Sequence, residues 1–145
     1  MKIHAHCILL LQMRLDEIRA AILRAREAAA GEDKSSAGDK YETSRAMSHL
    51  DLERYAMQEK NLMEEMNLLN AIDPSKYFDK AVPGALIHSD HGLLYIAAAI
   101  GLTVCDGINI TVVSGKSPLA AAFRHKMVGD IVVFNGKKYI ISECC

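Results

Sequence analysis

The chain has no tryptophan, no Cys-x-x-Cys pair, no long apolar run and no excess of charge of one sign. Each absence excludes something. Its four cysteines are Cys7, Cys105, Cys144 and Cys145. They lack paired metal spacing, and the last two are adjacent, which suits neither a zinc site nor an easy disulfide. A reduced, cytoplasmic protein is the expectation. No stretch approaches the ~20 apolar residues of a membrane span. The opening "MKIHAHCILLLQM" has too short an apolar core for a signal peptide, and Arg14, Asp16 and Glu17 follow at once. A net charge of −1 gives no global field for nucleic acid or membrane. Gly115-Lys116-Ser117 lacks the upstream glycine spacing of a P-loop. The six histidines show no ligand pairing, and His4 and His6 read as incidental.

What is present is half hydrophobic, the globular norm, in 145 residues: one domain or two small ones. Charge is uneven along it. Residues 1–31 carry +2, residues 32–45 carry −1, residues 46–81 carry −3 and residues 82–145 carry +1.

Apolar residues recur at Ile8, Leu11, Leu15, Ile18, Ile22, Ala25 and Ala29. This alternating spacing of three and four is a coiled-coil seam, and predicts a helix over 8–30. A second register, Leu52, Tyr55, Glu59, Leu62, Met66 and Leu69, predicts a helix over 39–72. Met47 and Leu50 fall in a shifted phase and suggest a register change. Pro74 ends the helix. Two such stretches with a short break predict an antiparallel helical hairpin, about 40–50 Å long.

Beyond "AVPGAL" the period changes. "ALIHS", "LLYIAAA", "LTV", "INITVV", "DIVVF" and "KKYIIS" read as short strands. "DG" at 106–107 and "NG" at 135–136 read as hairpin turns, and "SDHG" at 89–92 as another turn. "SPLAAAFRHK" reads as a short helix with Ser117 as N-cap and Pro118 first. The expected fold is α+β: a hairpin over 1–74, a linker over 75–81, and a small β-domain over 82–145. That domain is marginal alone and should lean on the base of the hairpin.

The connection "GEDKSSAGDKYETSRAM" gathers Glu32, Asp33, Asp39 and Glu42. If Asp39 opens the second helix, it shares a face with Glu42 three residues on. One reading is an N-cap and its capping-box partner. The other is a pair of carboxylates for Mg²⁺, which takes one or two carboxylates and completes its shell with water and phosphate oxygens. An exposed tip needs a second molecule to supply those remaining ligands.

"GDKYETSRA" resembles the tip motif of the bacterial Gre transcript-cleavage factors: Gly-Asp, two residues, then Glu at the start of the second helix. "SPLAAAFRHKMVGDIVVFNGKKYIIS" resembles their C-terminal signature, and the likeness covers nearly the whole chain in order. It implies a coiled-coil hairpin followed by an FKBP-like β-domain. It also implies a transcription elongation factor whose hairpin enters the secondary channel of RNA polymerase, while the β-domain docks at the channel rim. Asp39 and Glu42 would help the polymerase hold a second Mg²⁺ and activate water to cut the 3′ end of backtracked RNA. The chain itself is then a monomer with no independent activity and no membrane partner, and the Mg²⁺ is held jointly with the polymerase. This sequence departs from the motif at Thr43, Ser44 and Ala46, where Asn-Ala and a later aromatic are usual, and its β-domain is shorter. Two alternatives follow: a channel-binding regulator that inhibits without cleavage, or a scaffold module whose hairpin only binds a partner. Arg14, Arg19, Arg24 and Arg26, with Lys34, Lys40 and Arg45, read either as a solvated face or as a basic side that guides RNA.

Overall fold

The computed structural model describes the backbone of residues 2–32 and 38–145, with the side chains at 32, 38–42 and 44 left out. Two long helices, α1 (Lys2–Glu32) and α2 (Gly38–Asn70), precede six strands and a short helix. The strands are β1 (Leu86–Ser89), β2 (Gly92–Ala97), β3 (Gly101–Cys105), β4 (Ile108–Ser114), β5 (Ile131–Phe134) and β6 (Lys137–Cys144). The short helix α3 (Pro118–Phe123) lies between β4 and β5. The fold is α+β, and the chain forms two compact units: Gln12–Glu64, and Met1–Leu11 together with Glu65–Cys145.

In Gln12–Glu64 the two helices pack along the expected seam. Leu15, Ile18 and Ile22 are buried, and Ala25 and Ala29 are half-buried. Opposite them Leu52, Tyr55, Glu59 and Leu62 are each less exposed than their neighbours to either side, apart from the half-buried Asp51. Arg19 Nε donates to Glu59 Oε1 at 2.9 Å, which is why a carboxylate occupies a seam position. The expected register change is absent. Met47 and Leu50 are 62% and 65% exposed, and the heptad continues through the half-buried Ser48.

Helix α1 also starts six residues earlier than the apolar pattern predicts. The seam runs back through Cys7 to His4, both buried, and histidine is a core residue that an apolar count passes over. At the other end α2 stops at Asn70. Asp73 Oδ1 then accepts from the Ser75 N–H at 3.0 Å and from its hydroxyl at 2.6 Å, an Asx turn that leads the chain away.

The sheet has the order β3-β4-β2-β1-β6-β5. Only β2 and β4 pair in parallel; the other neighbours are antiparallel. Both predicted two-residue turns have positive φ at both positions, Asp106-Gly107 and Asn135-Gly136, as type I′ hairpins require. Helix α3 has Ser117 as N-cap, accepting from the Ala120 N–H at 3.1 Å, and Pro118 in its first turn.

The central strands are covered on both faces, which explains their continuous apolar runs. One face packs Ile87, Leu94, Ile96 and Ile141 with Phe123 and Ala120 of α3. Alternate residues Leu86, Tyr95, Ile110 and Val112 are buried as well. Tyr95, on this second face, meets the first turn of α1.

Candidate functional site

Helix α1 ends at Glu32 and α2 begins at Gly38. Asp39 and Glu42 are therefore the second and fifth residues of α2, three residues apart and at positions that share a face. The start is one residue earlier than expected, within the ordinary spread of helix boundaries. The side chains of Asp39 and Glu42, with Glu32 and Lys40, lie outside the described residues, as does all of Asp33–Ala37. The backbone alone makes this helix start favourable for carboxylates. The N–H groups of a helix's first turn have no intrahelical acceptor, and the positive end of the helix dipole adds to their pull. Two carboxylates at such a position suit Mg²⁺ only when a second molecule brings phosphate or further acid groups. Among the described residues no cluster of three or more His, Cys, Asp or Glu is placed to hold a metal ion.

The arginines of α1 separate into distinct roles. Arg19 is paired with Glu59. Arg26 lies one heptad further on the same flank, and the two line a shallow cleft with Ile22, Leu23 and Glu59. Arg14 is half-buried, while Arg24 and Arg45 are exposed. Of the other basic residues read with them, Lys34 lies outside the described residues.

Residues of the C-terminal signature each have a local structural job. Asp130 Oδ2 accepts from the Met127 N–H at 2.8 Å. Gly129 has φ +91°, and its N–H donates to Ile141 O at 2.8 Å. The Ile141 N–H in turn donates to Asp130 O at 3.1 Å. Val-Gly-Asp is thus the turn that sets β5 beside β6. The "SDHG" segment is a turn too: Ser89 Oγ accepts from the His91 N–H, and Asp90 Oδ1 from the Ile140 N–H.

His4 and His6 are not incidental. His4 Nδ1 lies 2.8 Å from Tyr95 Oη in a buried contact, and His6 Nε2 lies 3.1 Å from Thr103 Oγ1. The sequence signal for His4 was the seam itself, which places residue 4 one heptad before Leu11; position 6 lies off it. The four thiols are free. Burial pushes Cys7 and Cys144 up to about 11, so neither is a nucleophile at neutral pH.

Compared with protein-family models and with curated proteins, the chain matches none. Among the described residues no helix is long and apolar enough to cross a membrane.

Proposed function

We propose that the chain is a Gre-like transcription elongation factor that acts on RNA polymerase through the tip of its helical hairpin. The observation that carries this reading is the placement of Asp39 and Glu42. They fall within the first five residues of α2, directly after the connection from α1. The hairpin enters the polymerase's secondary channel, and the two carboxylates join the polymerase's own acids in holding a second Mg²⁺. Held there by Asp39 and Glu42 with the polymerase's acids, such an ion would supply a bound water of lowered pKa and positive charge opposite the scissile phosphate. The polymerase supplies the rest of the coordination shell, so the chain alone has no activity. The order of hairpin, connecting segment and small sheet with α3 supports the same reading, as does the run from Ser117 to Ser142.

The test adds the full chain to stalled, backtracked elongation complexes and follows the RNA 3′ end. Mg²⁺-dependent shortening of the RNA is expected. The double variant Asp39→Asn/Glu42→Gln keeps side chains of the same size and hydrogen-bonding capacity, and Asn caps a helix about as well as Asp. It should still bind polymerase but lose cleavage, with part of the rate restored by raised Mg²⁺. Undiminished cleavage by that variant at low Mg²⁺ would remove the carboxylates from the mechanism. Binding without cleavage by the unmodified chain would make the protein a channel-binding inhibitor.

A further inference from the structure

The unit formed by Met1–Leu11 and Glu65–Cys145 holds a polar contact where an apolar one would be expected. His4 is 6% exposed and sits edge-on to Tyr95, with 80° between the rings. Its Nδ1 is 2.8 Å from the Tyr95 hydroxyl. Around it, the Lys2 ammonium reaches Asp106 at 3.2 Å and the His6 ring reaches Thr103 at 3.1 Å. Cys7, three residues on, is fully buried. The first turns of α1 are thus fastened to β2, β3 and the β3–β4 turn through side chains that a proton can alter.

We infer that this docking is an acid-sensitive latch, closed while His4 is neutral and weakened when His4 takes up a proton.

Three features of the surroundings act in one direction. Burial penalises the imidazolium, which holds His4 below its ordinary value. His4 lies in the first turn of a 31-residue helix, where the positive end of the dipole opposes a cation. Among the described residues no carboxylate is paired with His4. Asp106, on the β3–β4 turn, is taken by Lys2. Glu65 of α2 accepts the Ala99 N–H at 2.8 Å. No residue of α1's first turn is acidic. Among the described residues the side-chain partner of His4 from the strands is the Tyr95 phenol; the Thr103 hydroxyl is held by His6, and the Cys105 thiol lies near that of Cys7. Burial pushes Tyr95 up to about 12 and Cys7 to about 11, so both stay neutral. A proton on His4 would also force the Tyr95 oxygen to accept, and leave the phenol proton to find another partner.

The sign follows from linkage. Undocked, His4 titrates near ~6.5 and binds more protons than docked His4 at any pH between the two values. Docking is therefore strongest above ~6.5, weakens as pH falls through that window, and levels off below the docked value. Opening uncovers Cys7 and the face of Leu86, Tyr95 and Val112.

The test uses the full chain. NMR titration of the His4 ring gives its docked pKa, and hydrogen exchange between about pH 7.5 and about pH 5 gives protection of the Cys7–Leu11 amides, corrected for intrinsic rate. His4 should titrate below its ordinary value. The low-pH loss of protection should approach ten raised to the difference between the free and docked pKa. The amides of β1 and β6 should change less. His4→Gln, which hydrogen-bonds but does not titrate, should flatten the profile, whereas His6→Gln should leave it in place. A docked His4 pKa at or above the free value overturns the latch, even if the Gln variant fails to fold. So does a pH profile unchanged in His4→Gln, or one shared equally by β1 and β6.

Discussion

Gly84 shows what one missing side chain secures. Its φ is +98°, and a Cβ there would lie 3.1 Å from both Ile72 and Phe78. Its N–H donates to Ile96 O at 2.7 Å. The chain that leaves α2 can fold back beside β2 only because nothing projects at this position. Gly84→Ala should therefore cost about 1–3 kcal/mol, combining left-handed backbone strain with a side-chain clash. Urea denaturation measures it, with Gly92→Ala as the comparison: φ there is +104° but nothing lies within 4 Å. Equal losses at the two positions would show that backbone strain is the whole effect. The Arg19–Glu59 pair is a contrasting residue-scale case. Its side chains are 49% and 29% exposed, so Arg19→Ala should cost well under ~1 kcal/mol, and added salt should shrink the effect.

At the scale of the element, the helices show why an apolar residue is not the same as a buried one. Met47 and Leu50 are large and apolar, yet they point away from the seam, while the polar Ser48 occupies it. Met47→Gln and Leu50→Gln should each change stability by less than ~0.5 kcal/mol. Leu15→Ala, at a position 4% exposed, should cost about 2–5 kcal/mol. Thermal or urea unfolding of the three variants decides this, and a large loss at Met47 or Leu50 would restore the register change. The strands, by contrast, were legible almost residue by residue. Their apolar runs are bounded by Asp-Gly, Asn-Gly and Ser-Pro, whose backbone preferences act locally and need no knowledge of partners. The seam of α1 was legible for the same reason, since seven apolar residues about one turn apart repeat regardless of what covers them. The start of α1 was not, because His4 enters the core through a bond to Tyr95, 91 residues away. The positions of Asp39 and Glu42 on one turn were legible from spacing. The proposed Mg²⁺ rests on the resemblance, since most of its coordination would come from another molecule.

At the scale of the whole molecule, the compact units and the order of the chain do not coincide. The sheet draws residues from both ends of the helical segment: Met1–Leu11 and the last turns of α2 belong to its unit. Cys7, Leu11 and Leu69 are fully buried there, as is Tyr95. The segment before the sheet is stitched in as well. The Ala81 N–H donates to Lys126 O at 2.8 Å, the His125 N–H returns to Ala81 O at 2.9 Å, and Lys80 bridges Met127. Cutting the chain before residue 82 would remove all of this. About 64 residues is already near the size at which a single core is marginal, and Leu86, Tyr95, Ile110 and Val112 would lose cover on one face. Residues 82–145 expressed alone should therefore lose cooperative unfolding, bind a hydrophobic dye, and keep strand signal in the far ultraviolet without a fixed near-ultraviolet spectrum. The full chain should show a sharp transition and no dye binding. A sharp, two-state transition of the isolated fragment would show that the face carrying Tyr95 needs no helix over it. The contacts of Lys2, His4 and His6 would then be incidental to the stability of the sheet.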